Sequence, residues 1–232
     1  MLLRQLFDAE SSTYTYLLAD AGEAVLIDPV KEQLDAYRRL LDELGLRLVL
    51  ALDTHTHADH ITALGDLREA TGCQSGFGAE SGSTCASFTF TDGTRLHFGA
   101  RELIAWYTPG HTADSYCFLL PASPADGTPA RVFTGDTLLI RGTGRTDFQN
   151  GDARAQWASL GRLLALADDT EVCPGHDYRG WTRSSIAEER AHNPRLQVAN
   201  AEAYAALMAS LRLPNPRLMD IAVPANRACG RP

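Results

Sequence analysis

Residues 46–60 read Leu46-Arg47-Leu48-Val49-Leu50-Ala51-Leu52-Asp53-Thr54-His55-Thr56-His57-Ala58-Asp59-His60. The first seven form a nearly continuous apolar run of strand length, which predicts a β-strand buried on both faces, as in the middle of an α/β sheet. The run passes directly into three His and two Asp. Beyond them Ile61, Leu64 and Leu67, with Gly72 as a stop, predict a helix of roughly three turns. A strand followed by a polar loop and a helix is the unit whose loop, at the C-terminal end of the strand, holds side chains in a crevice on a rigid support.

His55, His57, Asp59 and His60 supply imidazole and carboxylate donors, the set that a divalent transition metal takes while keeping positions open for substrate. His55 and His57 are two apart and share a face if strand geometry persists. The same kind of position recurs later in the chain. His111 follows the predicted strand Glu102 to Tyr107 through Thr108-Pro109-Gly110, Asp136 follows Arg131 to Thr134, and His176 follows Glu171 to Cys173. His97, in a predicted hairpin, and His192, in the last turn of a helix, read as structural.

Working outward, Tyr14 to Leu18 and Ala24 to Ile27 around Ala21-Gly22 predict a hairpin, and Leu34, Tyr37, Leu41 and Leu44 predict an amphipathic helix closed by Gly45. Phe88 to Ala105 reads as two hairpins around Asp92-Gly93 and Gly99, and Tyr116 to Leu120 as a further strand. Trp157, Leu160, Leu163, Leu164 and Ala167 form a helical stripe. Ser185 with Glu188 fits a capping box, Asn193-Pro194 ends that helix, and Tyr204, Leu207, Met208 and Leu211 mark the last helix before Pro214 and Pro216. The expected organisation is a strand-rich α/β body over residues 1–180 and a helical C-terminal extension over 181–232, packed on the same domain.

The 232 residues carry 21 Lys+Arg and 29 Asp+Glu, a net charge of −8, which lacks the basic footprint of a nucleic-acid binder. No apolar run reaches membrane-spanning length, so no membrane partner is expected. The start, Met1 to Leu6, has neither a signal-peptide core nor the pattern of a transit peptide, and the cytoplasm is the expected compartment. Five cysteines (Cys73, Cys85, Cys117, Cys173, Cys229) make an odd count without a Cys-x-x-Cys pair. This argues against a disulfide framework and for small buried hydrophobes in a reducing compartment, with Cys229, near the tail, the one placed for exposure.

The segment His55-Thr56-His57-Ala58-Asp59-His60 resembles the His-x-His-x-Asp-His signature of the metallo-β-lactamase superfamily, and Gly110-His111-Thr112, Gly135-Asp136 and Gly175-His176 resemble its later motifs. The resemblance implies an αββα sandwich: two mixed β-sheets flanked by helices, with the metal site at one edge. Thr134 to Gln149, His176-Asp177-Tyr178, Glu188-Glu189-Arg190, Asn193-Pro194-Arg195 and the closing Ala222-Val223-Pro224-Ala225-Asn226 with Cys229-Gly230 are similar to the persulfide dioxygenases of that superfamily. Thr143 stands where some relatives carry Cys, so a thiol there is not part of any general chemistry.

The resemblance implies one Fe(II) per chain held by His55, His111 and Asp136, a two-His, one-carboxylate set that leaves sites open for dioxygen and substrate. The implied reaction converts glutathione persulfide and O2 to sulfite and glutathione. His57, Asp59, His60 and His176 complete a second metal site in hydrolytic relatives and form an outer shell in the resembled dioxygenases. An acidic chain needs fixed donors for an anionic substrate, and Arg145 and Tyr178, then Arg141 and Arg190, are the candidates. The apolar C-terminal helices are candidates to cover a homodimer interface.

The alternative is a binuclear thioester hydrolase of the glyoxalase II type, for which every metal-ligand position is also present. The Gly144-Arg145-Thr146-Asp147-Phe148 segment and the tail speak against it. A β-lactam hydrolase, a nuclease and an inactive metal-binding module are disfavoured by the missing leader, the acidic balance and the intact ligand set respectively.

Overall fold

The computed structural model describes residues 1–214 and 218–231 of the chain. Twelve strands form two six-stranded mixed sheets. The first runs β1(Leu2–Asp8), β2(Thr13–Asp20), β3(Glu23–Ile27), β4(Arg47–Leu52), β5(Gln74–Gly78) and β6(Phe88–Phe90) in spatial order. The second runs, from one edge to the other, β12(Ser184–Ser185), β11(Glu171–Pro174), β10(Arg131–Gly135), β9(Tyr116–Leu120), β8(Arg101–Tyr107) and β7(Arg95–Phe98). Pairing is antiparallel except for β3 with β4, β4 with β5, β5 with β6 and β10 with β11.

Period-two alternation along each strand divides its side chains between two apolar layers. On β2, Tyr16 and Leu18 point between the sheets with Leu52, Phe90, Phe98, Phe118 and Phe133, while Leu17 and Ala19 point outward. The outward layer is covered by α1(Leu34–Leu44) and α2(Leu64–Thr71) through Tyr37, Leu41, Leu64 and Leu67. The other sheet is covered by α3(Ala153–Leu164), α4(Ile186–His192) and α5(Ala201–Ser210), with Leu160, Leu163, Ile186, Tyr204 and Met208 on Val132 and Val172. This is the αββα sandwich expected.

Four local expectations change. The helix after the His cluster begins at Leu64 and has 8 residues, so Ile61 belongs to the loop. The turn at Asp92-Gly93 does not close a hairpin: β6 pairs with β5 in one sheet and β7 with β8 in the other, so the turn carries the chain across the sandwich. A turn signal fixes a reversal but not the partner of the strands it joins. The extension is not purely helical, since β12 adds to the second sheet and Tyr204 is not on its last helix; α6(Met219–Arg227) follows, with Pro224 inside it. Pro216 lies outside the described residues. Finally, Cys85 and Cys229, 144 residues apart, form a disulfide, and Cys229 is buried rather than exposed. Cys73, Cys117 and Cys173 are free and buried as expected. Among the described residues no helix is long and apolar enough to cross a membrane.

Candidate metal centre

The strands that carry chemistry end at one edge of the sandwich. β4 delivers His55, β8 leads to His111, β10 to Asp136 and β11 to His176. Backbone bonds cross between the sheets at this edge, from Tyr14 N to Gly175 O (2.8 Å) and from Tyr116 N to Thr54 O (2.8 Å), and they hold the strand ends in register.

His55, His111 and Asp136 present donor atoms within 4.8 Å of one another. Each is oriented from behind. His55 Nδ1 lies 2.9 Å from the Thr54 hydroxyl, leaving Nε2 for a ligand. His111 Nδ1–H donates to Arg145 O at 2.7 Å, which fixes the tautomer with the Nε2 lone pair facing Asp136 Oδ2 at 3.5 Å. Asp136 Oδ1 accepts from His176 Nδ1 at 2.6 Å, so Oδ2 is the free oxygen. Burial and the neighbouring His57 and His111 push His55 down to about 3, so it is the neutral imidazole that metals bind. Burial would raise Asp136, but His176 outweighs it and holds the carboxyl well below the usual range. The backbone is packed against this trio: a Cβ on Gly144 would stand 2.3 Å from Asp136 O and 2.7 Å from His111 Nδ1.

The other four sequence candidates are held by hydrogen bonds around the trio, through Asp28, Asp59 and Asp136. His57 Nε2 bonds Asp28 Oδ1 (3.1 Å), turning that nitrogen away from the trio; burial disfavours its charge, but Asp28 raises it to about 9. His176 Nε2 and His60 Nδ1 both meet Asp59 Oδ2 at 2.9 Å. Against burial, Asp136 and Asp59 push His176 well above the ordinary imidazole value. His57, Asp59 and His60 still present donors within 4.8 Å of one another, and among the described residues His57 Nδ1 and His60 Nε2 have no hydrogen-bond partner.

A cleft of about 700 Å³ opens over Asp136, His111 and His176, walled by residues 139–145, Phe148, Tyr178, Arg179, Arg195 and Leu213. Tyr178 stacks on His176 with rings 5.9 Å apart and is 70% exposed. Arg145 lines the cleft, but its guanidinium is held by Asp147 (2.6 and 2.7 Å) and by Pro214 O (2.6 Å). Arg141 is paired with Glu188 and the fully buried Glu189. Arg190 is not in the cleft at all. Its place on α4 points it at Asp168 (2.6 Å) and Leu164 O (2.6 Å), so the expectation that it meets substrate is corrected.

Residues not singled out from the sequence complete the site. Thr13 Oγ1 touches Asp59, His60 and His176 at 3.0, 3.3 and 3.2 Å. Asp28 accepts from Thr54 N, Thr54 Oγ1 and His57, and Asp114 from Thr56 N and Oγ1. Asp28 follows β3 directly, so the strand-end rule that found Asp136 applies to it as well. Arg195 donates to Thr143 O and to Thr143 Oγ1 (3.1 Å). Among the described residues neither Arg195 nor Arg179 has a carboxylate partner, and burial without a counter-charge lowers the Arg195 pKa. Pairing across the fold neutralises Arg141 and Arg145 and leaves these two cations open.

A family model described as the metallo-beta-lactamase superfamily matches residues 9–83 and 87–176. The chain is 45% identical over 234 residues to the mitochondrial persulfide dioxygenase ETHE1 of Homo sapiens, covering 99% of this chain and 89% of that one. The crystal structure of ETHE1 from Myxococcus xanthus superposes with a TM-score of 0.93 at 50% identity and covers all of both chains. A metallo-beta-lactamase structure from Staphylococcus aureus gives a TM-score of 0.89 at 25% identity, covering 98% of this chain and 71% of that one.

Proposed function

The chain belongs to the metallo-beta-lactamase superfamily and, within it, to the persulfide dioxygenases, and from that premise we propose that it uses one Fe(II), held by His55, His111 and Asp136, to oxidise glutathione persulfide. The overall change is glutathione persulfide + O2 + H2O → glutathione + sulfite + 2 H+. The observation that carries the reading is the trio of His55, His111 and Asp136 on a chain 45% identical to a persulfide dioxygenase over 99% of its length. A two-His, one-carboxylate set is the ligand pattern of non-haem iron oxygenases; the His57 Nε2 bond to Asp28 leaves His57 Nδ1 free among the described residues, so metal content is the measurement that separates one metal from two.

The donor set fits ferrous iron in charge and softness, and the metal when bound supplies the one-electron chemistry with dioxygen that side chains lack. The protein's part is orientation and binding. Arg145 O, Thr54 Oγ1 and His176 aim the three ligands at a common point. Arg195 and Arg179 are the cations for the glutathione carboxylates, and Tyr178, stacked over His176, forms the wall along which the thiol chain lies. His57, Asp59, His60 and His176 form the layer around the ligands. The exposed Ile221 on α6 belongs to the surface proposed for a homodimer.

Metal content and oxygen uptake on protein prepared without air test the proposal together. One iron per chain with oxygen consumed on glutathione persulfide supports it. Two zinc ions per chain with thioester hydrolysis and no oxygen uptake refutes it in favour of the hydrolase, whose second metal would use the unpartnered nitrogens of His57 and His60.

A further inference from the structure

Helix α6, at the far end of the chain, hydrogen-bonds the metal-site loop through the side chain of Asn226. Asn226 is fully buried, and its amide meets three backbone groups of residues 57–62. Nδ2 donates to the carbonyls of His57 (2.9 Å) and His60 (2.8 Å), and Oδ1 accepts from Thr62 N (2.8 Å). Two carbonyls and one N–H admit only one orientation of the amide. The loop held in this way carries His57, Asp59 and His60. Asp59 bonds His176 at 2.9 Å, and His176 bonds Asp136 at 2.6 Å, so an unbroken series of hydrogen bonds and one short loop joins the tail to a ligand of the centre. On the other side, the His57 ring lies 4.2 Å from that of His55.

We propose that Asn226 is a positioning residue for the centre formed by His55, His111 and Asp136, fixing the loop that orients Asp59, and through it His176 and Asp136. This rests on reading that trio as the metal centre. The residue type matters because an Asp of the same shape would set an oxygen against two carbonyl oxygens. A small side chain would leave all three backbone groups without their partner in a water-poor interior.

The tail is anchored independently of this amide. Gly65 N donates to Cys229 O (3.0 Å), Lys31 Nζ to Gly230 O (2.6 Å), Arg231 pairs with Asp66 (3.1 Å), and Cys229 is bonded to Cys85. The backbones touch directly: a Cβ on Gly65 would stand 2.6 Å from Cys229 O, and one on Gly230 2.0 Å from Thr62 O. Loss of the amide therefore leaves α6 docked while releasing the loop. Loss of the disulfide acts chiefly on the unfolded chain and leaves the loop where it is.

The test strips full-length protein of metal and reloads it with Co(II), whose visible bands report coordination geometry. Affinity is read by competition with a chromophoric chelator, and melting is recorded for each metal-free protein. Asn226→Asp and Asn226→Ala weaken Co(II) binding about 10–100-fold and shift the bands, the size expected for partners of metal ligands. Cys85→Ser melts lower but keeps wild-type bands and affinity. The proposal is overturned if either folded Asn226 variant binds Co(II) with wild-type bands and affinity, or if Cys85→Ser shows the same loss, which would make it a matter of general stability. The Ala variant keeps the test open if the Asp variant does not fold. His111→Ala checks the metal reading by itself: wild-type protein that binds Co(II) no better than this variant refutes that reading rather than the role of Asn226.

Discussion

Replacing Cys85 by Ser opens a covalent loop of 144 residues, which makes the Cys85–Cys229 bridge the most quantifiable perturbation of this fold. In the chain-entropy description the bridge removes about 17 cal/mol/K from the unfolded ensemble, or about 5 kcal/mol at 25 °C. On the native side little changes, because Cys229 O still accepts from Gly65 N and Arg231 still pairs with Asp66 and Glu69. For a chain of this size, 1 kcal/mol moves the melting temperature by about 2–4 °C, so Cys85→Ser should melt about 10–20 °C below wild type. Calorimetry of the two metal-free proteins measures the difference, with a thiol titration under denaturing, non-reducing conditions beside it. The titration should find three thiols in the wild type, Cys73, Cys117 and Cys173. Five thiols, or melting temperatures within about 2 °C of each other, would refute the reasoning.

His111→Ala and Asp136→Ala each remove a donor from the trio and should abolish iron loading, measured as metal per chain; retention of full iron content would mean the site lies elsewhere. Gly144→Ala needs a shift of about 1 Å between its Cβ and Asp136 O and a smaller one from His111 Nδ1, and a displacement of about 1 Å costs about 10²-fold in kcat/KM for oxygen uptake. A loss under threefold would show that the ligands are not held by this backbone. Arg195→Met removes one charge-assisted bond to the substrate and should raise KM for glutathione persulfide by about 10–100-fold with kcat nearly unchanged; an unchanged KM would exclude Arg195 from the substrate site. Thr143→Ala removes a hydroxyl shared with Tyr204 (2.9 Å) and Arg195 and should cost about 1 kcal/mol of stability while kcat stays within a few-fold of wild type. A kcat loss as large as that of the ligand variants would put Thr143 in the chemistry.

The strand Leu46 to Leu52 and its His cluster were legible because a largely buried strand, here with Arg47 exposed and Val49 partly buried, writes a nearly continuous apolar run and a metal site needs specific donor types close together. The same rule found His111, Asp136 and His176. It extends to Asp28, which stands after β3 in the same way, but has no purchase on Thr13, a common residue at the start of a strand whose neighbours Asp59 and His176 lie 46 and 163 positions away. The Asp92-Gly93 turn was visible but its topology was not, since pairing depends on which sheet each strand joins.

Local pattern thus determined the strand-loop-helix units and the ligand types, and motif resemblance implied the family and its layered sandwich, because periodicity and short motifs are encoded within a few residues. Tertiary structure decided which cations stay open to substrate, since Glu188, Glu189 and Asp147 claim Arg141 and Arg145 and Asp168 draws Arg190 away. It also decided that His57 turns to Asp28, that Cys85 finds Cys229 across 144 residues, and that Asn226 grips the metal loop. The physical reason is common to all four. Charge pairing, disulfide geometry and amide hydrogen bonds act over a few ångströms of space, and separation along the chain carries no record of that distance.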